Sequence, residues 1–364
     1  MRPPKPSMRA LVACGLIAAT AILGPAYTVF SPAAPAPDQE HAFRPVSRAV
    51  FAEDRLWLLD DGGALVAMRP GAKRVERIAA DGKIVEICKS RGRLLALVAV
   101  GEAQWSLQDR VHGNWVARGT APTEGDRFAA LDCAPDDGRV TIVTNRRLLD
   151  AESGQIHSVR LKQKLEPLFG IGTALATPGA VWLGQNLGEW GGGLTRISRA
   201  DGRVDPVESN QSGDLCGGPL NAACDPVNGI VPAPWDASCI VAAIGLVHMM
   251  SHGRVVTVCN GRVQRLYFKP FEPQPPYGRL DDGEPASTVA FFGLARAADA
   301  VWAVGIDGLY RFDGTLPPRF RPLPKFEDRD GYSVSFDIPG IALVLTDVNQ
   351  RRSLSGAVPL LVAR

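Results

Sequence analysis

The sequence has almost no net charge: 40 Lys and Arg are set against 38 Asp and Glu in 364 residues, a formal balance of +2. The two signs are mixed along the chain. Nucleic-acid recognition, which needs basic residues gathered on one face, is therefore excluded. The one basic run, 317–325, is rich in proline, has no aromatic interleaving and reads as a solvated loop. No helical period of useful length follows residue 30, which excludes a helical core. No Cys-x-x-Cys pair marks a zinc site, and no Gly-x-Ser-x-Gly elbow supplies a hydrolase nucleophile. No catalytic residue, cofactor or metal is assigned on these grounds.

What is present begins at the N-terminus. Arg2, Lys5 and Arg9 lead into an apolar or small run, Leu11 to Leu23, and Gly24-Pro25-Ala26 offers small residues for a signal peptidase. Residues 1–26 read as a signal peptide or a membrane anchor. A tether through residues 9–30 stays open beside cleavage, because a span needs about 20 apolar residues. Residues 27–41, rich in Pro and Ala, read as a linker. Either outcome puts the rest of the chain in the periplasm or outside the cell, free or anchored to the inner membrane and facing the periplasm. Six cysteines follow the signal, and an even count in an exported chain points to disulfides.

From residue 42 onward a short apolar strand and a Gly-punctuated hairpin recur about every forty residues. Aligned on the second strand, the copies begin at Leu56, Leu94, Val140, Val181, Val255, Val301 and Ile341, with steps of 38, 46, 41, 74, 46 and 40. A strand repeat of that length is the mark of radially arranged sheets. Residues 42–364 are therefore an all-β propeller, with seven four-stranded blades as the leading count and a β-sandwich as the alternative. The doubled step contains a Cys-rich stretch, 209–238, with almost no apolar alternation, which reads as a loop insertion. Residues 41–50 are expected to lend a strand to the last blade and close the ring.

Two copies carry a family likeness. Val181-Trp182-Leu183-Gly184 leading to Gly191-Gly192-Gly193-Leu194-Thr195-Arg196-Ile197, and Val301-Trp302-Ala303-Val304-Gly305-Ile306-Asp307-Gly308-Leu309-Tyr310-Arg311, resemble the repeat of two-component-regulator-type propellers. The resemblance covers about a fifth of the chain in detail. It implies a periplasmic sensory or binding propeller. It carries no catalytic residue, since the motif glycines make turns and the motif tryptophans pack between blades.

In a four-stranded up-and-down blade, the loop from second to third strand and the loop leaving the fourth emerge on the same rim. Residues 185–191 and 209–238 should therefore crowd one sector over blades four and five. Asn186, Glu189 and Trp190 from one, with Asp214 and Trp235 from the other, are candidates to line a cleft there, and so is His248. His248 and His252 are spaced i, i+4, but Gly253 is expected to turn the chain directly after them. Asp281, Asp282 and Glu284 lie in a turn-rich stretch and read as solvated charges rather than a cation site. Cys88 and Cys133 fall at the ends of neighbouring inner strands and are expected to pair; Cys216 with Cys224, and Cys239 with Cys259, complete the set.

The expected role is a monomeric binding or scaffolding module recognising a protein or glycan partner in the cell envelope. The alternative is a lyase or hydrolase acting on a polysaccharide or lactone at the channel mouth. An enzyme should gather a histidine with carboxylates at that mouth, whereas a binder should show aromatics and amides.

Overall fold

Strands this short cannot bury both faces alone, and they resolve the problem by stacking sheet on sheet around a ring. The computed structural model describes residues 46–134, 138–152, 154–210, 218–248, 250–271, 287–323, 332–346 and 360–364. They form seven antiparallel sheets. Six have four strands in chain order, and the seventh has three among the described residues. The chain is a seven-bladed β-propeller. The inner strands are Val46–Ala52, Lys83–Ser90, Phe128–Cys133, Ile171–Ala176, Val227–Pro232, Phe291–Arg296 and Tyr332–Ser335, and they adjoin in that order around a central channel. Ser335 Oγ donates to Ala49 O (3.2 Å), joining the last blade to the first.

Four sequence expectations are corrected. Val46–Ala52 is the inner strand of the first blade and not a strand of the last. Val255 lies in a third strand; the second strand of blade five is Cys239–His248. Moving the mark from Val255 to Cys239 replaces the steps of 74 and 46 by near-equal steps of 58 and 62. The stretch 209–238 is not one loop, because Val227–Pro232 inside it is the inner strand of blade five. The basic run holds a strand, Arg319–Pro322, the exposed outer edge of blade six.

The motif tryptophans seal the blade seams. Trp57 packs on Ile87 and Leu94 of blade two, Trp182 on Ile240 and Ala242 of blade five, and Trp302 against Ala342 and Val344 of blade seven. Blade three has Thr141 at this position, and a polar contact is added to the apolar seam that Val143 and Leu148 make with Val181 and Leu183 of blade four. Arg199 of blade four pairs with Asp150, donates to Thr141 Oγ1 (2.8 Å) and donates to Thr177 O (2.7 Å). Blades two and three are also crosslinked, by Cys88–Cys133 with a Cα–Cα distance of 6.1 Å, as expected.

A second device recurs on one rim. The connector entering a blade is ion-paired to that blade's own hairpin between second and third strands. In blade three, Arg147 Nε donates to Asp126 Oδ2 (2.6 Å). In blade five the pair is Arg254 with Asp225. In blade six the charges are reversed, and Lys269 Nζ reaches Asp307 Oδ2 (2.9 Å). Tyr310 OH also donates to Asp307 (2.8 Å), and burial, then the Asp307 charge, push its phenol well above the ordinary range. Each clasp fixes where a loop leaves the ring, and so makes this rim a rigid platform.

Candidate functional site

The rim with the clasps is here the upper rim; the lower rim carries the loops between first and second strands and between third and fourth. The second strand of blade four, Ala180–Asn186, ends in a one-turn 3₁₀ segment, Gly188–Trp190. Asn186 starts it: its side-chain oxygen accepts from Gly188 N (2.8 Å), and its Nδ2 donates to Asn228 Oδ1 (2.7 Å). Gly191, Gly192 and Gly193 then follow at φ of 84°, 150° and 105°. A Cβ on Gly191 would lie 2.3 Å from Ala222 O, so only glycine lets the two loops meet. Gly192 N–H donates to Ala222 O (2.9 Å). The loop and the connector do crowd one sector, as strand order predicted.

His248 ends the second strand of blade five and lies beside this turn. Its Nε2 is 2.8 Å from Glu189 Oε2, with both side chains about half exposed. Trp190, next to Glu189, is 77% exposed. Phe169, in the connector entering blade four, is 70% exposed on the same rim. Gln185 Nε2 ties that connector down by donating to Pro167 O (2.8 Å) and Phe169 O (3.0 Å). The structure thus brings together Asn186, Glu189, Trp190 and His248, and adds Phe169 and Asn228.

Trp235 does not join them. It sits between Val227–Pro232 and Cys239–His248, a loop between first and second strands, and so lies on the lower rim. There its ring packs 3.8 Å from the Cβ position of Gly314 in blade six. Asp214 and Cys216 lie outside the described residues, as do Asp281, Asp282 and Glu284. Cys224 is disulfide-bonded. Cys239 and Cys259 are bridged across one register position of blade five, with Cα atoms 4.3 Å apart. Asp236 lies within 4.8 Å of both sulfurs, but a disulfide offers no thiolate to a metal.

Gly253 does not turn the chain. It is in mid-strand, and the hairpin comes earlier, between His248 and Met250. His252 consequently points into the clasp of blade five. Its Nε2 is 3.1 Å from Asp225 Oδ1 and 3.0 Å from Arg254 Nη1.

The channel has a volume of about 720 Å³. In six blades the inner strand bulges at its second or third residue, at Ser47, Val85, Ala129, Gly172, Asn228 and Phe292. All but Val85 and Ala129 line the channel, as expected where a bulge re-aims a side chain. Asn228 Nδ2 donates to Gly245 O (2.7 Å) and Phe291 O (2.9 Å), binding blade five to blade six. Arg48, which reaches Glu86 (3.1 Å), and Asp132 also face the channel. Of the described histidines, His112 and His157 lie in outer hairpins and strands, and none lines the channel.

Burial raises the Asp132 carboxyl above its usual range, against a hydrogen bond from Ala176 N–H (2.9 Å) and the charges of Arg48 and Arg199. A raised folded-state value means that folding binds protons. This contribution to stability is present below the ordinary aspartate range and is lost as pH rises through the raised value. Asp132→Asn is therefore expected to raise the melting temperature at pH 7 and to leave it unchanged at pH 3. Melting curves at the two pH values check this; an equal shift at both would contradict it.

No family model matches the chain, and no curated protein matches it. Solved structures do. The extracellular domain of a putative hybrid two component system from B. thetaiotaomicron is 12% identical with a TM-score of 0.48, over 83% of this chain and 36% of that one. This chain thus spans about a third of that longer protein. The Cps50 (Swd1) β-propeller domain of Myceliophteria thermophila is 12% identical with a TM-score of 0.47, over 88% of this chain and 98% of that one. YCF48 from Cyanidioschyzon merolae is 12% identical with a TM-score of 0.44, over 83% and 94%. The blade count rests on the sheet topology itself. Among the described residues, no helix is long and apolar enough to cross a membrane.

Proposed function

We propose that this propeller is an exported binding module that holds a protein partner on its upper rim over blades four and five. The observation that carries this reading is Trp190. A ring left 77% exposed on a glycine-locked turn is neither core nor flexible decoration. Its base is held by the Glu189–His248 pair and by the Gly192–Ala222 hydrogen bond. A rigid projecting tryptophan is the form of an anchor that enters a partner's pocket, and Phe169 on the same rim supplies a second contact. The histidine–carboxylate pair of this sector, Glu189–His248, props the turn. No described histidine lines the channel, and the aromatics Trp190 and Phe169 with the amides of Gln185, Asn186 and Asn228 favour a binder over the lyase or hydrolase reading. Disulfides within and between blades support an oxidising compartment, periplasmic or extracellular.

The test replaces Trp190 with a photo-crosslinking residue and identifies the captured protein in the cell envelope. Trp190→Ala is then expected to weaken that complex by about 30-fold or more, a loss of about 2 kcal/mol, with an unchanged melting temperature. Trp235→Ala, on the opposite rim, should leave binding intact. Equal loss from both variants would overturn the assignment.

A further inference from the structure

The lower rim carries a separate feature, a groove of about 560 Å³ at the seam of blades four and five. One wall is a cross-strand row. Trp182, Arg196 and Asp205 are paired in register across the second, third and outer strands of blade four, and so share one face. The Arg196 guanidinium lies 5.9 Å from the Trp182 ring centroid. Asp205 Oδ2 is 3.0 Å from Arg203 Nε and 3.8 Å from Arg196 Nη1. The facing wall is Val258 and Asn260 of blade five. The volume falls in the usual range of small-ligand clefts, about 300–1,000 Å³.

The geometry points to a neutral sugar ring as the occupant of this groove. The charges lining it balance, Arg196 and Arg203 against Asp205 and Glu208, so an anion or a cation would meet a like charge. A carboxylate between two guanidinium groups presents acceptors and donors side by side. A hydroxyl is both donor and acceptor, and two neighbouring hydroxyls on one ring can bridge such a pair without leaving either charge unsatisfied. Val207 supplies the apolar contact for the C–H face of the ring, above a seam in which Trp182 and Val258 are buried (9% and 2% exposed). The Asn260 amide stands at the open edge, held there by a left-handed backbone at φ 51°. The upper-rim tryptophan projects, whereas this groove is concave and runs down the outer seam to the lower rim, with Glu208 at its upper end accepting from Ala222 N–H (3.2 Å). The second reading therefore does not depend on the first.

Saturation-transfer NMR on the full chain with maltose, cellobiose and diacetylchitobiose tests this. At least one disaccharide is expected to bind, and Asp205→Ala to weaken it at least tenfold, while Trp190→Ala leaves it unchanged. Ser238→Trp, at an exposed position on the groove edge, should block it equally and stands in if Asp205→Ala does not fold. Comparing the bound disaccharide with its hexasaccharide separates a free sugar or chain end, for which the affinities match, from an internal polymer segment, for which the longer chain binds more tightly. Binding by none of the three sugars, or binding that survives both substitutions, overturns the proposal.

Discussion

Asp225→Ala is expected to destabilise the fold by about 3–5 kcal/mol, a large share of the marginal stability of a single domain. The Asp225 side chain is fully buried. It accepts from Asn221 N–H (2.6 Å), pairs with Arg254, and lies 3.1 Å from His252 Nε2. Arg254 is itself only 6% exposed and also donates to Pro219 O (2.7 Å). Removing the carboxylate alone leaves a guanidinium charge inside the ring with its main counter-charge gone. The cost is that stranded charge more than the lost pair. Asp225→Ala combined with Arg254→Met should accordingly recover part of the loss. Urea unfolding of the two single variants and the double variant measures all three. A cost below about 1 kcal/mol for the single change, or a double variant worse than the sum, would show that the clasp is not what holds blade five's entry connector.

That clasp also shows where sequence reasoning reaches its limit. The blade repeat was legible because its signals are local: an apolar strand, a Trp two residues in, a Gly or Asp turn. The upper-rim sector was legible for a related reason, since strand order alone decides which loops share a rim. Blade five was misplaced because its second and third strands, Cys239–His248 and Met250–Cys259, are both long and apolar, and neither carries the motif tryptophan. Its inner strand was hidden because Asn228-Gly229 looks like a turn. The pair instead makes a channel bulge and a close contact, with the Cβ position of Gly229 lying 2.7 Å from Leu294 N. Trp235 was assigned to the wrong rim as a direct consequence. The Arg199 seam and the clasps were out of reach for another reason. Their partners lie 21 to 58 residues apart in sequence, and nothing in the spacing of single charged residues announces that the ring brings them together.

The glycines of blade five lead to the second large effect. Gly245 and Gly253 face each other in register, and neither makes a turn. A Cβ on Gly245 would lie 2.3 Å from Phe291 O and 2.5 Å from Phe291 N; one on Gly253 would lie 2.6 Å from Ala290 Cα. These obstacles are backbone, so no rotamer change relieves them. The pair is a flat seat on which the start of blade six rests, fastened by reciprocal hydrogen bonds between Thr288 Oγ1 and the Gly253 N–H and C=O (2.8 Å each). Gly245→Val must push blade six outward and break the Asn228 bridge to Phe291. The expected cost is about 4 kcal/mol or more, at the upper end for overpacking. Gly179→Ala is the control, since nothing lies within 4 Å of its Cβ position, and it should be neutral or slightly stabilising. Chemical denaturation reads the contrast. Gly245 is also three residues from His248, whose ring holds Glu189 and with it the base of Trp190. Gly245→Val should therefore lose partner binding together with stability, whereas Trp190→Ala loses binding alone. A Gly245→Val protein as stable as the parent would mean that the seat is empty, and that blade six is positioned by something other than this pair.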